Sequence, residues 1–294
     1  MAGSGNRRSR RRVSRVRPKG LTVSEAFGKT FRVIWANKGA FLGLTLVVLL
    51  PTLVWRVVDG ASMDQSTAYE RFFVYRDLPG QEGLLMYAAE AFLSFLLMAG
   101  VVAGAVEYLA GESLPMGTCF RRGIVRLFPA LGVSIVSGFL SLFILVGGIL
   151  ALSFLKLPSP LILVPYLLSL AATSWFFVAV PAAVGERRGV IGALKRSLAL
   201  VKDRFFTVFL SLLAVSLLQG AVDRLLLNGL HALHLQKTWI SEVNMTWVRV
   251  YMVLTLLAGL FFSLFYAALS AVIFSRLVEE KEKRSLRDLA KVFR

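Results

Sequence analysis

Residues 127–154 read LFPALGVSIVSGFLSLFILVGGILALSF, a stretch without a single charged side chain. A helix needs about 20 mostly apolar residues to cross the hydrocarbon core of a bilayer. The short connection KLPSP at 156–160 then leads into a second apolar stretch that ends at residue 184. The two stretches therefore predict a transmembrane hairpin with no extramembrane domain between its helices.

Four more stretches share this composition, so the sequence predicts an all-α polytopic protein with six transmembrane helices. The chain is 56% hydrophobic and 17% charged, whereas soluble domains are about 45–50% apolar and about 25% charged. The six predicted spans form one membrane domain at 21–277, between a disordered basic arm at 1–20 and a charged cytoplasmic helix at 278–294. The spans are predicted at 40–58, 84–110, 127–154, 159–184, 205–227 and 247–277.

The cations are distributed unequally between the two sides of the predicted bundle. Of the 34 Lys and Arg residues, 27 lie in the two terminal segments and in the loops after spans 2 and 4, and 7 lie on the other side. Cytoplasmic loops carry an excess of Lys and Arg. We therefore expect a multi-pass protein of a bacterial inner membrane with both termini in the cytoplasm.

The segments before spans 1, 3 and 5 resemble one another and predict a threefold internal repeat. In each, a small residue is followed by a large apolar residue and then by one or two cations, as in Ala26-Phe27-Gly28-Lys29, Cys119-Phe120-Arg121-Arg122 and Ala193-Leu194-Lys195-Arg196. Apolar residues at helical spacing predict that each segment is a short amphipathic helix in the membrane interface. Its cations would contact anionic lipid headgroups through Lys29, Arg32, Arg121, Arg122, Lys195 and Arg196.

A second candidate site lies near the opposite ends of the predicted spans. Ionisable residues inside spans are costly and are often functional. Five charged residues share a similar depth there and could form an outward-facing polar site, or could simply form salt bridges near the interface. They are Arg56, Glu90, Asp223, Arg224 and Arg249.

The stretch VPAAVGERRGVIGALKRSLALVKDRFFTVF at 180–209 resembles the glycerophosphodiester phosphodiesterase membrane-domain family and its YciC-like inner-membrane relatives. The resemblance lies in Pro181, Glu186, Ala193 and the pair Arg196-Ser197, and it implies a six-helix membrane domain. It gives Pro181, Glu186, Arg196 and Ser197 a structural role, with Glu186 pairing with Arg196. The phosphodiesterase barrel of some relatives needs about 250 residues, so its activity is not expected here.

Groups that could catalyse a reaction are scarce, and no enzyme, cofactor or metal site is expected. His231 and His234 have no base between them and no third ligand at metal-site spacing. The sequence favours a non-catalytic scaffold, assembly or lipid-associated factor, and the alternative is a transporter for a lipid-like or small amphiphilic substrate. The expected partners are anionic membrane lipids, with a membrane protein or a second copy left open. Nucleic acid is not expected, since no aromatic residues interleave the cations of the arm.

Overall fold

A computed structural model describes residues 21–62, 81–111, 115–156, 158–186, 188–235 and 245–282. Within these ranges the chain is helical throughout and contains no β-strand. Two short 3₁₀ turns, Ser159–Ile162 and Lys202–Arg204, precede two of the helices. The helices are α1 (Val23–Ala36), α2 (Lys38–Ser62), α3 (Gln81–Leu109), α4 (Met116–Phe154), α5 (Leu163–Phe176), α6 (Ala179–Gly185), α7 (Val190–Val201), α8 (Phe205–Leu235) and α9 (Met245–Glu282).

Five helical segments of the described chain are long and apolar enough to cross a membrane. The first predicted span, 40–58, lies within α2, in which the apolar segment Lys38–Val47 is too short by itself to count as a span. The structure thus agrees with an all-α polytopic protein, and the sixth span stays a prediction. The segments are Phe92–Leu109, Met116–Phe154, Pro160–Gly185, Val190–Gly229 and Val253–Glu282.

The predicted domain boundary at 277 does not interrupt the last helix. α9 continues from Met245 to Glu282, so the predicted last span runs directly into the first residues of the predicted C-terminal segment. The predicted basic arm at 1–20 and the remainder of the predicted C-terminal helix, 283–294, lie outside the described residues.

The core lies mainly on α3 and α9, which contact each other along their lengths. On α9, nearly every residue between Phe262 and Val278 is buried. By contrast, the second half of α4 exposes large apolar side chains such as Phe139, Phe143 and Phe154. In a membrane protein such a surface faces lipid tails, which are as apolar as the side chains themselves.

Close contacts at glycines of α3 and α4 hold α2, α3 and α4 together. A Cβ atom on Gly123 of α4 would lie 3.0 Å from the backbone nitrogen of Gly100 on α3. A Cβ atom on Gly104 would lie 2.9 Å from the ring of Phe41 on α2. Small residues at helix contacts allow backbones to approach closely within membranes, so these glycines set the spacing of the three helices.

Only two of the three predicted interfacial helices are separate helices. α1 and α7 precede α2 and α8 as expected. The segment before the third predicted span is instead the first part of α4, which continues without a break for 39 residues. Nothing at Pro129 ends this helix, so the amphipathic segment and the span form one rod.

The inner apolar residues of α1 and α7 pack on neighbouring helices, whereas Phe31, Trp35 and Ile191 are exposed. Phe27 and Phe31 of α1 lie 5.3 and 5.1 Å from Phe265 of α9, measured between ring centroids. Ala193 and Val201 of α7 are fully buried. A hydrophobic face can be covered by lipid or by a neighbouring helix, and the helical periodicity of a sequence does not distinguish the two.

We predict that replacing Gly123 with Ala destabilises the protein. The added methyl group meets backbone atoms, which cannot rotate away, and overpacking of this kind costs about 1–3 kcal/mol. Gly138 on the same helix has nothing within 4 Å of its Cβ position, so Gly138→Ala is the matched control. Thermal melting in detergent should show a lower midpoint for Gly123→Ala alone. Equal midpoints for the two variants would contradict the close α3–α4 contact.

Candidate functional site

The strongest concentration of charge lies where the last turns of α9 meet α1, α7 and the residues that flank α7. We call this region the charged end. Its acidic groups on α9 are Glu279, Glu280 and Glu282, and its basic groups on that helix are Arg276 and Lys281. Each of these five side chains bonds to another protein group.

α1 is attached to α9 in an antiparallel direction through this region. The backbone N–H of Leu21 donates to Glu280 Oε1 at 3.3 Å, and Arg276 donates to Glu25 one turn further along α1. Beyond them, the ring of Phe31 lies against Phe265. Residues later in α1 therefore contact residues earlier in α9. The contacts are polar at the start of α1 and apolar towards its end.

Arg196 on α7 joins two carboxylates that are far apart in sequence. Its Nε donates to Glu186 Oε1 at 2.9 Å, and its Nη2 donates to Glu282 at the end of α9. The structure thus forms the Glu186–Arg196 pair that the sequence predicted and adds a third member. The partly buried guanidinium is tolerated because two carboxylates neutralise it.

The other residues of the quoted stretch, Ser197 and Pro181, also lie at this junction. Ser197 is buried, and its hydroxyl donates to the carbonyl oxygen of Trp175 on α5 at 2.7 Å. Pro181 lies in α6, a short helix in which every residue is buried. Pro181, Glu186, Arg196 and Ser197 therefore occupy structural positions between α5, α6, α7 and α9.

Two further ion pairs link α7, α8 and α9 at the 3₁₀ turn before α8. The guanidinium of Arg204 donates twice to Glu280, at 3.1 Å for each bond. Lys281 lies 2.7 Å from Asp203 and also donates to the carbonyl oxygen of Ala199. The entry to α8 is thus fixed to the end of α9.

A separate buried pair joins α3 to α4. Glu107 is only 2% exposed, and it accepts a hydrogen bond from Arg122. Leaving a carboxylate buried without a partner would cost several kcal/mol. Arg122 is therefore part of the helix packing and not free to meet a lipid headgroup.

The six predicted headgroup-contacting cations divide into two groups in the structure. Lys29, Arg122 and Arg196 each pair with a carboxylate. Arg32, Arg121 and Lys195 are exposed, and no hydrogen bond or ion pair with another described residue is found for them. Seven carboxylates at this end of the described helices all take part in ion pairs, and none of those pairs involves Arg32, Arg121 or Lys195. The carboxylates are Glu25, Glu107, Glu186, Asp203, Glu279, Glu280 and Glu282.

The three segments that the sequence set side by side begin their helices at corresponding positions. The N-cap residues are Thr22, Pro115 and Gly189, and all three have extended backbone conformations. In each case the cap carbonyl accepts the first helical bond, from the backbone N–H of Ala26, Cys119 or Ala193. Those three small residues are buried, with exposures of 0%, 1% and 0%.

The second predicted site is described only in part. Asp223 and Arg224 are exposed on α8, and no ion pair involves either of them among the described side chains. The side chains of Arg56, Glu90 and Arg249 lie outside the described part, as do those of His231 and His234. No group of three metal-ligating side chains occurs among the residues that the structure describes.

Sequence reasoning missed one polar cluster in the hairpin of α4 and α5. Ser141 Oγ lies 2.6 Å from Thr173 Oγ1 and 3.0 Å from Ser169 Oγ. Hydroxyl groups that bond across helices hold transmembrane segments together. The sequence shows hydroxyl residues in both stretches. Only the three-dimensional structure shows which of them are in contact.

We predict that the docking of α1 weakens in acid. Hydrogen bonds from Lys29 and Arg276 hold the pKa of Glu25 below its ordinary value of 4.5. A carboxyl group whose pKa is lowered by folding stabilises the folded state at pH values above its unfolded-state pKa. This stabilisation is lost as the pH falls through the folded-state pKa. Hydrogen-exchange protection of α1, corrected for intrinsic exchange rates, should stay constant around neutral pH. It should decrease as the pH falls through the folded-state pKa of Glu25.

Glu25→Gln is the control, because its side chain cannot titrate. The variant should show weaker protection at neutral pH and a smaller decrease in acid. An identical acid response in both proteins would show that Glu25 does not hold α1 in place.

Comparisons with known proteins add nothing to this geometry. No family model matches the chain, and no curated protein or solved structure matches it. The resemblance at 180–209 therefore stays a prediction, and inferences about function depend on the residues themselves.

Proposed function

We propose that this chain is a non-catalytic integral membrane protein that acts as a scaffold, assembly or lipid-associated factor of the bacterial inner membrane. The observation that carries the proposal is the charged end, where the carboxylates are all used in internal ion pairs. Carboxylates held in this way support a rigid platform and are not available as acids or bases. Exposed cations beside them give the platform a positive surface.

The composition of the exposed surface supports a role among lipids. Large apolar side chains are exposed along α2, α4, α5, α8 and α9, in a chain with several helices able to span a membrane. Juxtamembrane cations are attracted to the anionic leaflet on the cytoplasmic side. We therefore propose that the charged end lies in the cytoplasm, together with both termini.

A transporter for a lipid-like or small amphiphilic substrate is the second candidate. The matching helix starts at Val23, Met116 and Val190 favour it, since internal structural repeats are common in secondary transporters. In that case Glu90 and Arg249 of the second predicted site would contact the substrate, whereas Asp223 and Arg224, which are exposed on α8, would not.

Native mass spectrometry of the protein, extracted from its own membrane in polymer nanodiscs, tests the proposal. We expect a stoichiometric protein partner or a second copy, retained equally in Glu90→Gln, in Arg249→Ala and in the control Asp223→Asn. An assembly of that kind would also identify what the scaffold organises.

Two outcomes would overturn the scaffold proposal. One is a chain released alone, with no partner and no bound lipid. The other is a single retained lipid or metabolite that is lost in Glu90→Gln or Arg249→Ala but kept in Asp223→Asn. The second outcome would establish the transporter in its place.

A further inference from the structure

We infer that α1, the first turns of α4 and α7 carry three equivalent surfaces for the headgroups of anionic phospholipids. The inference rests on the proposed membrane function and names the ligand class of its positive surface. Each surface consists of four exposed residues at one helical spacing, and we call it a headgroup stripe. The stripes are Gly28, Phe31, Arg32 and Trp35 on α1; Arg121, Ile124, Val125 and Phe128 on α4; and Lys195, Leu198 and Ala199 on α7 with Lys202 directly after it.

Equivalent positions, counted from the N-cap, face outward in all three helices. Residues at positions i, i+3, i+4 and i+7 share one face of a helix. All twelve stripe residues are exposed, and they occupy identical positions relative to the three N-caps. Chance exposure would not be expected to repeat position by position in helices that differ this much in sequence.

The residue after the first stripe position faces inward in all three helices. Lys29, Arg122 and Arg196 occupy this position, and each is held by a carboxylate. The next residue is buried in each case, as Thr30, Gly123 and Ser197. Each helix thus has one cation anchored to the protein and at least one cation in its stripe that points away from it.

The apolar members of the stripes distinguish a lipid from other anions. Trp35 is 72% exposed and Phe128 is 76% exposed, and both lie on the same faces as the cations. A free phosphate would gain nothing from these side chains, and a nucleic acid would stack only on the aromatic ones and leave Ile124, Val125 and Leu198 uncovered. A phospholipid satisfies both halves of the stripe, because its phosphate meets the cation while its acyl chains cover the apolar residues.

Three pairs of substitutions, each removing two positive charges, test this inference on the full-length chain. The outward pair is Arg121→Gln with Lys195→Gln. The inward pair is Arg122→Gln with Arg196→Gln, one residue further along each helix. The distant pair is Lys156→Gln with Arg224→Gln, at exposed positions outside the stripes. The probe is phosphatidylglycerol added to protein in phosphatidylcholine nanodiscs, with bound lipid counted by native mass spectrometry.

The outward pair should weaken phosphatidylglycerol binding about fivefold at each of the two stripes that it alters, since one cation near an anionic headgroup accounts for about a fivefold change. The α1 stripe should bind as it does in the parent protein. The melting temperature of the outward pair should remain that of the parent protein. The distant pair should leave both binding and melting unchanged. The inward pair should lower the melting temperature, and if that protein does not fold, the outward and distant pairs still decide the question.

Equal loss of binding in the outward and distant pairs would overturn the inference, since net charge alone would then explain the affinity. Unchanged binding in the outward pair would overturn it as well. If inorganic phosphate or a short RNA at similar concentration displaced the bound phosphatidylglycerol, the inference would also be wrong. The natural ligand would then belong to another chemical class. A protein partner could still be retained in each of these cases. Failure of the lipid inference can therefore be distinguished from failure of the scaffold proposal.

Discussion

The rest of the structure depends on one electrostatic constraint, the neutralisation of carboxylates where helices are packed against apolar neighbours. A charge removed from water must find a partner, and here several of the partners lie on different helices. Arg276 reaches Glu25, Arg204 reaches Glu280, and Arg196 reaches both Glu186 and Glu282. These pairs connect the N-terminal helix, the middle of the chain and the end of α9 in a single cluster.

The same constraint separates two kinds of cation that are adjacent in the sequence. Arg122 and Arg196 are held by carboxylates, while Arg121 and Lys195 are exposed beside them. Because the acidic residues of the charged end are already paired, the positive charge that remains is on the surface. The charged end therefore combines a neutralised interior with a basic exterior.

Much of the fold could be predicted from local features of the sequence. The spans follow from length and apolarity, α1 and α7 from helical periodicity, and the Glu186–Arg196 pair from proximity along the chain. Glu280 and Glu282 could not be assigned, because their partners are 76 and 86 residues away and several cations were equally available. The continuous α4 was not predicted, because an amphipathic segment and a span can form one helix without a break. The packing of the amphipathic helices was not predictable either, because periodicity does not show whether an apolar face contacts lipid or protein.

The central claim is that the charged end faces the cytoplasm and the tip of the α4–α5 hairpin faces the other side. Single cysteines in a Cys119→Ala background test it, with Lys202→Cys at the charged end and Lys156→Cys at the far end of α4, a helix of 39 residues and about 58 Å. A membrane-impermeant maleimide applied to intact spheroplasts should label the protein with Lys156→Cys at once. It should label the protein with Lys202→Cys only after permeabilisation. The reverse pattern, or labelling of both from one side, would contradict the account.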